Sequence, residues 1–147
     1  MTDSCPPPFN RPKAHERYDA VSYAPTPGNI PAARRHVAQL AVDWGHPGAA
    51  GDAALLASEL CTNALLHGRL RDRLFRVETS LNGNALRVAV TDPRGERLPE
   101  ARTAEDSDQS GRGLLIIRAL ASRWAVEKLT VGKRIWAELD VPGGADA

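Results

Sequence analysis

Glu59, Asn63 and His67 recur every fourth residue in the run from Gly51 to Gly68. That interval stacks three polar side chains along one face of an α-helix. The run is helical by its own pattern: Ala53, Leu56, Ala57, Leu60, Ala64 and Leu65 recur with helical period, Ala and Leu dominate, and Gly68 supplies a terminator. A polar row beside an apolar stripe points to a polar occupant. Asn63 offers a neutral carbonyl oxygen suited to hard Mg²⁺ alongside phosphate oxygens; the plainer alternative is a satisfied amide at a helix–helix contact. Glu59, one turn earlier, is placed to take a proton from a hydroxyl or water, or else is a solvated helix carboxylate. His67 reads first as a C-terminal cap, favourable against the helix dipole.

Two further segments carry chemistry. Gly111-Arg112-Gly113 opens an apolar stretch, Leu114 to Ser122, that reads as a helix. Free backbone N–H groups and the positive end of the helix dipole favour phosphate there, and glycine lets an anion approach the chain closely. No Gly-Lys-Ser/Thr follows, so this is not a Walker A loop. Asp92 ends an alternating strand; its carboxylate can accept from an exocyclic amine such as adenine offers, or it simply initiates the turn before Pro93.

The elements that must position these residues follow from the remaining pattern. Residues 1–15, with Pro6-Pro7-Pro8 and Pro12, read as a disordered tail, and 142–147 as a second tail. The domain between them, 16–141, begins with a short strand over Glu16 to Ala24. Asn29 followed by Pro31 marks a helix start, and Ala32 to Trp44 is helical on Ala33, Val37, Leu40, Ala41 and Trp44. Gly45-His46-Pro47-Gly48 breaks it before the central helix, Ala49 to His67. Leu74 to Leu81 and Ala85 to Thr91 alternate as strands around Asn82-Gly83-Asn84, a tight-turn signal. Glu96 to Gln109 is polar and acidic and reads as a mobile loop. Trp124 to Thr130 and Arg134 to Val141 read as a last pair of strands joined through Val131-Gly132-Lys133. The order predicts an α+β two-layer sandwich: a mixed, mostly antiparallel sheet covered on one face by helices.

Composition narrows the class. The chain has 147 residues, 42% hydrophobic and 25% charged, with net charge +1. That suits one domain with its own core and gives no reason to expect nucleic acid or membrane as a direct partner. No apolar run reaches the ~20 residues of a membrane span, and the start lacks a signal-like segment. Cys5 and Cys61 give no disulfide framework and no metal-ligand spacing. A reduced, cytoplasmic protein is expected.

Taken together, Glu59-x-x-x-Asn63-Ala64-x-x-His67 on a long helix, strand–Asp92–turn, a polar loop and Gly111-Arg112-Gly113-Leu114 opening a helix resemble the histidine-kinase-like (GHKL, Bergerat-fold) ATP-binding family over about Pro31 to Leu139. The resemblance implies ATP and Mg²⁺ as ligands. It implies Glu59 as general base and Asn63 as the metal residue. The nucleotide set it implies is Asn63, His67, Asp92, Gly95, Gly111, Arg112, Gly113 and Leu114, with Asp92 on the adenine amine and Leu98 to Ser110 as lid. Two places depart from the family pattern. Its Asp-x-Gly-x-Gly stands here as Asp92-Pro93-Arg94-Gly95-Glu96, and where a threonine commonly follows the last hairpin glycine this chain has Lys133 and Arg134. The compact size looks like stand-alone anti-sigma-factor serine kinases of actinobacteria. This implies a protein serine kinase that phosphorylates an anti-sigma antagonist protein and sequesters a sigma factor, with homodimerisation as an option. A non-catalytic ATP-binding regulator is the alternative, and an apo scaffold without nucleotide a further one.

Overall fold

The structure, a computed structural model, describes residues 16–68, 74–92, 115–129 and 132–142, with the backbone alone for 66–68 and 92. The elements run β1 (Arg17–Tyr23), α1 (Asn29–Asp43), a 3₁₀ turn (Pro47–Ala49), α2 (Ala50–Gly68), β2 (Phe75–Asn82), β3 (Ala85–Asp92), α3 (helical residues 115–120), β4 (Arg123–Lys128) and β5 (Lys133–Asp140). The sheet order is β1-β2-β3-β5-β4. Every pairing among these strands is antiparallel, so the expected mixed sheet is in fact uniform.

The elements lie within a few residues of their expected bounds, and the differences have local causes. Helix α1 starts at Asn29, where Asn29 and Pro31 mark a helix start, and the Asn29 side-chain amide donates to the Ala24 carbonyl at 2.9 Å, tying the turn to the helix. The tight turn after β2 closes as expected, with Gly83 at φ 67°, a left-handed backbone that glycine adopts without strain. Lys133, expected in the last turn, instead belongs to β5 and pairs in register.

Helices α1 and α2 pack on each other and on one sheet face. Their contribution is Ala33, Val37, Ala41, Ala53, Leu56, Ala57, Leu60 and Cys61, all fully buried. The sheet meets them with alternate residues: Phe75, Val77, Thr79 and Leu81 from β2, Leu86, Val88 and Val90 from β3, Ile135, Ala137 and Leu139 from β5. Period-two alternation puts these on one face and leaves the other to polar side chains. Each fully buried Leu or Val contributes about 1.5–3 kcal/mol by its removal from water. Among the described residues, no helix is long and apolar enough to cross a membrane.

The register defines two ends of the sheet. At one, Tyr23 pairs with Phe75, Arg76 with Thr91, Asp92 with Lys133, and Lys133 with Lys128. At the other lie Arg17, Asn82, Ala85, Asp140 and Arg123. Helix α2 ends near the Asp92 end, because only residues 69–74 separate it from the start of β2. Cys61 of α2 is buried in the core against which Tyr23, at the same sheet end, also packs. The chain therefore brings the last turns of α2 to the strand end that carries Asp92.

Candidate functional site

Helix α2 carries Glu59 and Asn63 one turn apart, as the spacing predicts. Asn63 is 6% exposed and lies among Leu60, Cys61 and Ala64 of the core. With Thr79, it is one of two buried polar side chains among the described residues. An amide at a position that packing alone would fill with Leu or Ala costs desolvation. Glu59 is half-buried, and desolvation holds its carboxyl above the ordinary value of 4.5. A carboxylate so shifted takes up a proton more readily than a solvated one. One turn of helix thus presents a proton acceptor and a neutral oxygen donor.

The neighbouring hydroxyl of Thr62 donates back to the Ser58 carbonyl at 2.8 Å. This bond stays within the helix and consumes no group of the site. Cys61, buried beside Asn63, has its thiol pushed up to about 12 by burial, which makes it an inert packing residue.

His67 lies in the last turn of α2 and Asp92 is the last residue of β3; for both, the structure fixes the backbone position. The backbone of Asp92 therefore lies at the sheet end near which α2 finishes. Gly95, Gly111, Arg112, Gly113 and Leu114, and the lid expected over 98–110, lie outside the described residues. Helix α3 follows Leu114 directly and seats Ile117 in the core, with Leu115 and Ile116 exposed.

One residue near this site, noted in the sequence only as a departure from the family pattern, has a place in the register that the sequence did not reveal. Lys133 stands opposite Asp92 across β3–β5 and opposite Lys128 across β4–β5. It looked like a turn residue beside Gly132; register, set by the lengths of two hairpins, places it at the strand end instead.

A second concavity, a cleft of about 480 Å³, lies on the opposite face of the sheet and is lined by Tyr18, Ser80, Arg87, Ala89, Arg134 and Glu138. Its charges already have partners. Arg87 Nε donates to Glu138 at 3.0 Å, Arg134 Nη1 to Glu127 at 2.9 Å, and the Tyr18 hydroxyl to Glu78 at 2.5 Å. The Arg87 guanidinium also lies 4.1 Å over the Trp136 ring. These contacts tie the charges of the cleft to one another, although Arg134 Nε is buried without a partner. The chemistry belongs to the helix-covered face.

Among the described residues no group of three or more His, Cys, Asp or Glu side chains could hold a metal by itself. Comparison with curated proteins returned no match. A family model of the histidine kinase-like ATPase domain matches residues 23–139, from the end of β1 to the end of β5. The buried amide and half-buried carboxylate of α2, the antiparallel sheet beneath them and this match agree, and the chain belongs to the histidine kinase-like ATPase domain family as an ATP-binding domain.

Proposed function

We propose that this chain is an ATP- and Mg²⁺-dependent protein serine kinase of the anti-sigma-factor type, acting in the cytoplasm on an antagonist protein. The observation that carries the reading is the pair on α2: a buried Asn63 with a half-buried Glu59 one turn before it, the carboxyl raised by desolvation. Asn63 fits the metal, because a neutral oxygen donor in a buried position complements an ion whose remaining ligands are phosphate oxygens and water. When bound, Mg²⁺ neutralises charge on the phosphates of ATP. Asp92, Gly95 and His67, with Gly111 to Leu114, complete the nucleotide set in this reading.

Glu59 accepts the proton of a partner serine hydroxyl. The serine oxygen forms a bond to the γ-phosphorus, the bond from that phosphorus to the bridging oxygen breaks, and ADP leaves with the electron pair. The antagonist then carries a phosphoserine and loses its grip on the kinase, which is free to sequester a sigma factor, as a monomer or a homodimer.

The test is transfer from labelled ATP to candidate antagonist proteins. Glu59→Ala should abolish transfer and spare ATP binding; unchanged transfer sinks the assignment of the base. Asn63→Ala should lose Mg²⁺–ATP binding measured by calorimetry. A second reading is favoured by Arg94 and Glu96, which stand where the family pattern has glycines: a non-catalytic ATP-binding regulator that acts through its partners. ATP binding without transfer to any antagonist would select it.

A further inference from the structure

The sheet face away from the helices carries a surface of its own. Across its middle, Ala20, Glu78, Ala89, Trp136 and Ala125 stand opposite one another from β1 to β4. Two alanines thus flank the half-buried Trp136 ring, and the cleft beside it is lined by the small residues Ser80, Ala85 and Ala89. Its lining also holds four carboxylates, Glu16, Glu78, Glu127 and Glu138, against three guanidiniums, Arg17, Arg87 and Arg134. Acid is therefore in excess. A carboxylate has about four acceptor sites, whereas Glu78 accepts from Tyr18 and Glu127 from Arg134. Arg134 Nε, by contrast, is a donor without an acceptor.

The chain contains a segment that matches this surface. Glu16 and Arg17 belong to the cleft lining, so residues 1–15 join the domain at its rim. Pro6-Pro7-Pro8 and Pro12 favour polyproline II, which repeats every three residues. At that period Pro6, Phe9 and Pro12 share one face, and Arg11 and Lys13 take the other two; residues 6–15 contain no acid. Proline brings a carbonyl without an N–H, so the segment has acceptors in surplus, as Arg134 Nε requires. The reach also fits. Trp136 is three strands over from β1 and level with Ala20, four residues along from Glu16. That diagonal is about 20 Å at ordinary sheet spacings, and the seven residues from Phe9 to Glu16 span about 22 Å as polyproline II. A Pro-rich segment of this kind docks on aromatic surfaces at low entropic cost, because it is already extended. We propose that residues 6–15 of this chain dock across its own open sheet face, with Phe9 against Trp136 and with Arg11 and Lys13 among the cleft carboxylates. So placed, the segment competes with any protein that approaches this face. The inference is independent of the nucleotide reading.

The experiment is NMR on the full chain carrying a nitroxide at Cys5. Cys61, the other cysteine, is buried with its thiol pushed up to about 12 and does not compete for the label. Docking carries Cys5 past Trp136 towards β4. The amide signals of Ala125 and Trp136 should then broaden about twofold more than that of Ala20, and the backbone order parameters of Phe9, Arg11 and Lys13 should exceed about 0.6. Phe9→Ser, which removes no side chain of the folded core, should reverse that gradient and bring the order parameters below about 0.6. Wild type with the strongest broadening at Ala20, or with order parameters below that value, leaves the face to another molecule and overturns the inference. So does a Phe9→Ser chain that behaves as wild type. Nitroxide-labelled chains that broaden Ala125 and Trp136 of an isotope-labelled Cys5→Ser chain in a mixture would put a second copy on the face, and overturn it as well.

Discussion

The two ends of the β3–β5–β4 ladder are built on opposite rules. At the Asp140 end, charges interlock across strands. Arg123 Nε donates to Glu138 at 2.7 Å and its Nη2 to Asp140 at 2.5 Å, Glu138 also accepts from Arg87, and the Ser122 hydroxyl accepts the Asp140 backbone N–H. The Asp140 carboxyl is held below its usual range by the Arg123 guanidinium. At the Asp92 end, Lys133 faces Lys128, while on the opposite face of the sheet Arg134 Nη1 donates to Glu127 and the Thr91 hydroxyl and Arg134 Nε are buried without partners. The same strands therefore interlock their charges at one end and set two lysines side by side at the other, and like charges directly opposite cost stability.

Substitutions can break that contrast or sharpen it. The largest effect comes from the core that both ends share: Leu60→Ala, beneath the site and fully buried, should cost about 2–5 kcal/mol in urea unfolding, with ATP affinity falling through loss of the fold. Glu138→Ala, which strips Arg87 and Arg123 of a common carboxylate, should cost about 1 kcal/mol, less in high salt, with ATP binding unchanged. A loss of ATP affinity in that variant would mean the two ends are not separate. Lys128→Ser should do the reverse and raise stability by a few tenths of a kcal/mol by removing a like-charge neighbour; a destabilised protein would show that the lysine pair is structural.

Glu59→Gln gives the smallest change in stability with the sharpest meaning. The folded-state carboxyl titrates above 4.5 because burial penalises its charge. Its stabilising influence is therefore complete below that value and is lost as pH rises through the shifted one. At neutral pH the charged Glu59 works against the fold. Glu59→Gln should melt higher than wild type at pH 7 and at the same temperature below pH 4, while losing transfer. An equal melting temperature at pH 7 would remove the burial argument. The acid limb of the wild-type transfer rate should likewise fall above pH 4.5.

Much of this was legible from residue types. Alternation along β2 and β3, the Asn82-Gly83-Asn84 turn and the four-residue spacing of Glu59 and Asn63 are local signals, and local geometry obeys them. What was not legible depends on partners distant in sequence. That Glu138 serves both Arg87 and Arg123, that Arg87 lies over Trp136, and that Lys133 stands between Asp92 and Lys128 are all properties of register across strands brought together by the fold. The full burial of Cys61 was hidden differently: the apolar stripe of α2 alone does not reveal that the helix is covered on its flank as well, by the sheet and α1.

Strand β1 has a consequence in time. Among the described residues it pairs only with β2, across a separation of about 60 residues at Tyr18–Glu78, and is held by Tyr23 stacked on Phe75 and by His36 bonded to Asp19 at 2.8 Å. The β2–β3 and β4–β5 hairpins close short loops, whereas β1 must wait for a long one. A ribosome delivers β1 well before its partner strand, which is synthesised only after both long helices. Strand β1 is thus left exposed until β2 emerges, and the growing chain must keep it from pairing elsewhere for that interval.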